Sequence, residues 1–444
     1  MLHTDTFFLN LYWAIPFVGL LLSLAFWPLF SLSFWHKHYG KIIFLWSASF
    51  LLPSFLLGGY PTAREVVHIL LLEYTPFMIL IASLFIITSG IRIHVSWAGN
   101  PLSNIGILFL GTLLSSCIGT TGASMLLVRP LLRANAWRRY QAHVFIFFIF
   151  LVANIGGALT PLGDPPLFIG FLEGVPFFWP IKHLMGPTFL VVTLILCVFF
   201  AIDLFFHKKE DLAPPSIDIK NPFKINGTIN LVLLGGVVVA VLASGQIKTG
   251  ISYNVAGSTL TLENIARDFF LLGICFLSLK LTPKRIRDEN HFTWDPLLEV
   301  SKVFLGIFIT VVPVIIMLKA GASGPFKGIL SIVNAGGTPN NALYFWLSGI
   351  CSSFLDNAPT YLVFFFTAGG DVGQLTTTLY KTLMAISMGS VYLGALTYIG
   401  NAPNFMVRSI VEHQGVKMPN FFLYMLIACV ILVPIFLIST YIYL

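Results

Sequence analysis

Charge is what this chain has least of. Asp, Glu, Lys and Arg make up 10% of its 444 residues, against 57% hydrophobic and 15% aromatic side chains. A soluble protein of this length needs far more charge to cover its surface, so a water-soluble globular fold is excluded. Cysteine is scarce as well. Cys117, Cys197, Cys275, Cys351 and Cys429 fall in apolar segments with no CxxC or Cys/His metal spacing. They read as small buried hydrophobes, not as a disulfide or zinc framework. No Lys/Arg-rich tract interleaved with aromatics exists, which argues against a nucleic-acid partner. None of the ten His residues forms a metal-spaced pair on a helix face, and His143 and His183, flanking predicted spans, read as interface residues. The first Lys or Arg is Lys37, so the amino terminus lacks the basic region of a signal peptide, and the first span is expected to be retained.

What is present is a succession of apolar runs, each long enough to cross ~30 Å of hydrocarbon. Predicted full spans lie at about 11–33, 41–58, 66–92, 141–172 and 186–206, then 228–245, 267–281, 300–320, 380–408 and 420–442. Two further apolar stretches, about 103–128 and 341–367, are broken by polar residues, Gly and Pro. The net charge of +7 is then an orientation signal, because loops rich in Lys and Arg stay cytoplasmic. Lys37/Lys41, Arg92, Arg129 through Arg139, Lys208/Lys209, Lys280 through Arg287, and Arg408/Lys417 share one side only if both broken stretches enter and leave by the same face. The prediction is an all-α polytopic membrane protein of about ten full spans plus two re-entrant hairpins, with broken helices at the midplane. Residues 1–206 form one membrane repeat, 207–226 a cytoplasmic linker, and 227–444 a second repeat.

The repeat is written in the sequence. Gly157-Ala158-Leu159-Thr160-Pro161-Leu162-Gly163-Asp164-Pro165-Pro166-Leu167-Phe168 matches Gly394-Ala395-Leu396-Thr397-Tyr398-Ile399-Gly400-Asn401-Ala402-Pro403-Asn404-Phe405. Ser115-Ser116 and Ser352-Ser353, Pro76 and Pro313, and Asn104 and Asn341 stand apart by the same offset. With five crossings per half, the second copy must be inverted, an arrangement used by secondary transporters.

The chemistry-bearing residues collect where helices should break, at about 156–166 and 394–403 and at the hairpin tips. Gly and Pro free backbone groups there, and unpaired backbone at membrane depth is tolerated only beside protein or a water-filled cavity. Ser116, Thr120 and Thr121 at one tip, and Ser353, Asp356 and Asn357 at the other, offer oxygen ligands to a small hard cation; Ser and Thr can equally serve close helix packing. Asp164 faces Asn401 in the alignment of the repeats, and Asp356 faces Gly119, so each half keeps one carboxylate at a non-equivalent place. If each tip meets the break of its own half, each site holds one Asp. An intramembrane Asp costs a few kcal/mol and usually marks an ion or proton path; it can alternatively cap a helix break. Thr160, Thr397, Gly157, Gly163, Gly394 and Gly400 support the breaks. Asn154 either lines the same site or bonds between helices, and Glu73 is either a third ion-path carboxylate or a group facing water near the outer interface. Asp203, Lys319 and Lys381 sit near predicted span ends and read as interfacial.

Twin hairpins, Asp-Asn-x-Pro at one tip and Gly-Ala-Leu-Thr-x-Leu-Gly-Asp after a Gly-Gly break resemble the ion-transporter superfamily, most nearly its NhaD-type sodium/proton antiporters and the related citrate carriers. The resemblance covers most of the chain. It implies inverted repeats, hairpins opening from opposite sides, a homodimer and an elevator-like movement of the hairpin-bearing part. It assigns Thr120 and Thr121 with Asp164 to one cation site, and Asp356 and Asn357 with Thr397 and Asn401 to the other. The first tip lacks the Asn many relatives carry, and Asp164 is followed by Pro165-Pro166 instead of hydroxyl residues.

Sodium/proton antiport at Asp164 and Asp356 is therefore the leading expectation, with Na⁺ or Li⁺ and H⁺ as the moving ions, no other cofactor, and a bacterial inner (plasma) membrane as the setting. Cation-coupled carriage of a carboxylate such as citrate is the alternative; nearly every Arg lies near a membrane edge, which favours the cation. Leu162-Gly163-Asp164 resembles the Gly-x-Gly-Asp element of intramembrane aspartyl proteases, but position 161 is Pro and no Tyr-Asp pair supplies a second aspartate. An enzyme is not expected. A passive channel is disfavoured because no ring-forming filter is visible.

Overall fold

The computed structural model describes residues 8–95, 98–210, 223–255, 257–290, 292–328, 333 and 339–444. Among these residues eight helices are long and apolar enough to cross a membrane. A ninth results if Asp295–Thr310 and Val312–Lys319, bent by 41° at their junction, count as one span. Pro313 lies just after that bend, where it removes a backbone donor from the ladder. The ten expected crossings are thus not ten uninterrupted helices. The segment from Tyr380 to His413 is unwound in its middle, and Leu262–Leu281 carries Glu263, Arg267, Asp268 and Lys280. The chain is a multi-pass membrane protein.

Both broken stretches fold as helical hairpins. Asn100 opens the first with a capping box, accepting from Ser103 N at 2.9 Å while Ser103 Oγ accepts from Asn100 N at 2.8 Å, and Pro101 sits where its missing N–H costs nothing. The arms Pro101–Ile118 and Thr120–Asn135 reverse at Gly119. Asn104 and Asn135 exchange hydrogen bonds of 3.0 and 2.8 Å, which fixes the two open ends side by side. In the second hairpin Asn340 caps the arm Asn341–Leu355. The return arm is Asn357–Thr367, and Tyr344 Oη reaches the Thr367 carbonyl at 3.3 Å.

The equivalent reversal points share one backbone conformation. Gly119 has φ 82°, ψ 149° and Asp356 has φ 80°, ψ 147°. This region suits glycine, and Asp356 is the non-glycine residue that occupies it.

The two interrupted crossings are also alike. Helix Ala142–Leu151 gives way to a 3₁₀ turn, Ile155–Leu159, then to extended backbone at Thr160 and Asp164, before Pro165–Leu172 resumes the helix. Tyr380–Tyr392, Leu393–Leu396, extended Thr397 and Asn401, and Ala402–His413 repeat the sequence of events. The unwound parts begin slightly earlier than residues 156–166 and 394–403, and both include them in large part. Gly157 and Gly163 explain the choice of glycine. A methyl carbon on Gly163 would lie 2.1 Å from the Gly157 oxygen, and one on Gly400 2.6 Å from the Gly394 oxygen.

The all-α class holds, with two short strand pairings added to the helices: Arg92–Val95 pairs antiparallel with Phe223–Asn226, and Ser252–Val255 with Ser258–Thr261. The expected linker 207–226 accordingly ends in a strand, while its residues 211–222, with Asp211 and Pro214-Pro215, lie outside the described residues. Asp203 is not interfacial but fully buried, 2.6 Å from Arg138 Nη2, 2.7 Å from His143 Nε2 and 3.0 Å from Asn104 Nδ2. Arg138 and Arg287 are not free loop charges either: Arg287 is folded inward onto the Ile86 and Ser278 carbonyls at 2.8 and 3.0 Å.

Burying Arg138 is tolerable because Asp203 compensates it, and the pair ties the open end of the first hairpin to the long helix Trp179–His207. Removing Asp203 leaves Arg138 only Glu210, 3.7 Å from its Nε, as a counter-charge, a loss approaching the roughly 3–5 kcal/mol of a fully broken buried pair. Asp203→Ala is therefore expected to lower the thermal midpoint of the detergent-solubilised protein sharply, and Arg138→Met combined with Asp203→Leu to restore much of it. Equal midpoints for wild type and Asp203→Ala would show that the pair carries no net stability.

Candidate functional site

The breaks and tips are pinned together by hydroxyl groups before any ion is considered. Ser116 Oγ donates to the Gly156 carbonyl at 2.5 Å and Thr160 Oγ1 to the Ser116 carbonyl at 2.5 Å. In the second half Ser353 Oγ donates to the Leu393 carbonyl at 2.8 Å, and Thr397 Oγ1 to the Ser353 carbonyl. These bonds recur at the offset of the sequence repeat. Ser116, Thr160, Ser353 and Thr397 thus hold each hairpin tip against the break of its own half, which leaves them less free to bind ions.

At the centre stands Asp164, buried among donors from both halves. Thr120 Oγ1 donates to Asp164 Oδ1 at 2.9 Å, and Asn401 Nδ2 donates to the same oxygen at 3.0 Å. Asn357 Nδ2 donates to Oδ2. The expectation of one Asp per separate site is corrected here. Asp164 is shared by its own hairpin tip, the opposite hairpin tip and the opposite break, and Asp356 lines the same cavity. Both halves converge on one centre because the two unwound segments cross beside each other: Asn401 Nδ2 also reaches the Ala153 carbonyl at 3.0 Å.

Four helices begin at this point, at Thr120, Asn357, Pro165 and Ala402. Each amino end carries partial positive charge, and together they offset a buried carboxylate.

The cavity has a volume of about 500 Å³. Its walls are mostly apolar, with Phe77, Phe168 and Phe304 prominent, while its polar surface comes from the two tips, the two breaks, and Thr293, Asp295 and Glu299. Four carboxylates line it, Asp164, Asp356, Asp295 and Glu299, and among the described residues no Lys, Arg or His does. Glu299 Oε1 accepts from Trp35 Nε1 at 3.1 Å. No group of three His, Cys, Asp or Glu among the described residues is placed to hold a metal ion. Any cation here would therefore meet hydroxyl, amide and carbonyl oxygens together with one or two carboxylates.

Thr121 lines the cavity. Glu73 does not line it; it sits in a π-helical turn, Leu70–Tyr74, and its Oε2 finds no hydrogen-bond partner. Asn154 is not a cavity residue but is fully buried against Asn404. Sequence reasoning passed over Asn404, Asp295, Glu299 and the aromatic wall. Asn404 left a signal: it is a polar residue inside the second signature where the first has Leu167. The wall left none, since a phenylalanine lining a cavity and one facing lipid look alike in sequence.

Residues 7–444 match a family model described as "Putative citrate transport". No curated protein matches the chain.

Proposed function

Because the chain belongs to this citrate-transport family, a branch of the ion-transporter superfamily, we propose that it is a secondary active transporter exchanging Na⁺ or Li⁺ for H⁺ at Asp164 and Asp356. The observation that carries the reading is the charge of the cavity: four carboxylates and, among its described lining residues, no cation. An acidic cavity with apolar walls attracts a small cation and repels a free polycarboxylate. Asp164 is the group that can hold either a proton or a cation, and Asp356 is a second carboxylate facing the same space.

The matched hairpins, breaks and pinning bonds support two inverted repeats whose tips approach from opposite membrane faces. In this reading the hairpin-bearing part moves as a body and exposes Asp164 first to one side and then to the other. A homodimer in a bacterial inner membrane fits the same picture.

A second reading has its own support. The family description names citrate, and four helix amino ends converge on the cavity, as an anionic substrate would require. Proteoliposomes holding a pH dye separate the two. Addition of Na⁺ or Li⁺, but not K⁺ or citrate, is expected to alkalinise the lumen when protein is present. Labelled citrate uptake that requires a cation gradient, with no proton exchange evoked by Na⁺ alone, would replace antiport with carboxylate carriage.

A further inference from the structure

The open end of the first hairpin carries a concentration of positive charge that the Asp164 centre does not use. A two-stranded ribbon lies beside it. Arg92–Val95 follows the span that ends at Ser89, and Phe223–Asn226 precedes the span Ile229–Gln246. In this antiparallel register Arg92 stands opposite Asn226 and His94 opposite Lys224. Residues directly opposite, like residues two apart on one strand, point to the same side of the pair. Arg92, His94, Lys224 and Asn226 therefore share one face, while Ile93 and Ile225 take the other, Ile93 being buried. The return arm of the hairpin, Thr120–Asn135, packs on this ribbon. Arg133 Nη2 donates to the Ile93 carbonyl at 3.0 Å. Arg129 stands one helical turn before it on the same arm.

These groups lie within electrostatic reach of one another. Arg129 meets the charges of Arg133 and Arg92. Burial first, and then the charges of Arg92, Arg133 and Lys224, push the His94 imidazole below its ordinary pKa. Counter-charge is short. Arg92 pairs with Glu289 Oε2, but Arg285 Nε draws on the other oxygen of that carboxylate at 2.7 Å. Among the described residues Arg129, Arg133 and Lys224 have no carboxylate partner. Cations from three separate chain segments thus meet one shared carboxylate. Like charges held together repel. A bias of basic residues to one membrane side explains their number but not their convergence. Arg129 also borders a cavity of about 30 Å³ with Ser89 and Asn290, room for a single oxygen atom or water.

We propose that Arg92, Arg129, Arg133 and Lys224 form a binding site for a phosphate group, carried by an anionic phospholipid or free in solution. A guanidinium meets phosphate oxygens with two parallel N–H donors, and an ammonium adds a point charge. Arg133 spends one terminal nitrogen on the Ile93 carbonyl, and Arg129 spends none among the described residues, so both keep donors for a ligand. The ribbon joins two span ends directly, which sets the patch at the depth of lipid headgroups. Basic groups between membrane helices hold lipid phosphates at that depth. The site also bridges two parts of the fold. Arg129 and Arg133 belong to the hairpin whose tip carries Thr120, whereas Arg92 and Lys224 belong to the ribbon. A phosphate seated between them holds the open end of the hairpin on the ribbon, whichever ion or substrate the central cavity carries.

The test is ligand-dependent thermal stabilisation of the full chain in detergent. Phosphatidylglycerol in mixed micelles and inorganic phosphate are titrated separately at constant ionic strength, with phosphatidylcholine and sodium chloride as controls. A saturable rise of the thermal midpoint is expected. A rise with phosphatidylglycerol alone places the phosphate on a lipid, one with inorganic phosphate alone places it on a soluble anion, and one with both admits either source. Arg129→Gln combined with Lys224→Gln is expected to raise the half-saturating concentration at least about tenfold, equivalent to about 1.4 kcal/mol. Without ligand this double variant should melt no lower than wild type, because two uncompensated charges are gone. A lower ligand-free midpoint would assign the two residues to folding and not to binding. Lys417→Gln removes a basic residue outside the patch and should change neither value. No midpoint shift in wild type with either ligand, a full response in the double variant, or an equal loss in Lys417→Gln would each overturn the site.

Discussion

Asp164→Asn is expected to abolish Na⁺-evoked alkalinisation in proteoliposomes while leaving a folded protein. The second half of that statement follows from the hydrogen bonds. An asparagine at position 164 can still accept from Thr120 and Asn401 through one oxygen, as Asp164 Oδ1 does now at 2.9 and 3.0 Å. Its new amide nitrogen would face Asn357 Nδ2, two donors against each other. Asn357, however, carries an oxygen that is buried and unpartnered. Rotation of that side chain by half a turn presents the oxygen to the new donor and satisfies both groups. Asp164→Ala has no such remedy: Thr120, Asn357 and Asn401 would each lose an acceptor, at about 1–3 kcal/mol per buried donor. The Asn variant should thus melt within a few degrees of wild type and the Ala variant well below it. Neither should exchange cations for protons. Wild-type exchange by Asp164→Asn would remove Asp164 from the proposed mechanism altogether.

How far the sequence reaches is visible at this same residue. The duplicated signature located both breaks to within a few residues, because Gly and Pro act locally and are expensive in a helix. The same holds for the hairpins, whose reversal points and caps depend on neighbouring residues. What the sequence could not convey is that the opposite half also reaches Asp164. Thr120 lies near Asp164 through its own half, but Asn357 and Asn401 come from the opposite half, and no periodicity records that approach. Buried compensation is equally silent. Asp203 and Arg138 each look like loop-edge charges until the open end of the first hairpin is seen packed on the helix that carries Asp203.

Asp356→Gly is expected to give a protein that is more stable and yet inactive. Asp356 adopts φ 80°, ψ 147°, where a side chain costs about 1–3 kcal/mol. Its repeat counterpart Gly119, at φ 82°, ψ 149°, meets the same turn without strain. Glycine would give back part of that gain through the entropy of the unfolded chain, about 0.5–1 kcal/mol, so a net stabilisation near 1 kcal/mol is expected. Asp356→Ala makes the contrast: it removes the carboxylate but keeps the strained backbone, and should be the less stable of the two. A strained residue whose counterpart is glycine points to a demand on its side chain, and the cavity wall beside Asp164 is where that carboxylate is directed. Thermal midpoints and Na⁺-evoked proton flux, measured on the same preparations, read the two effects separately. A higher midpoint with lost exchange would assign the strain to function. Wild-type exchange by Asp356→Gly would leave Asp164 as the sole exchanging carboxylate and reduce Asp356 to a tolerated substitution at a glycine position.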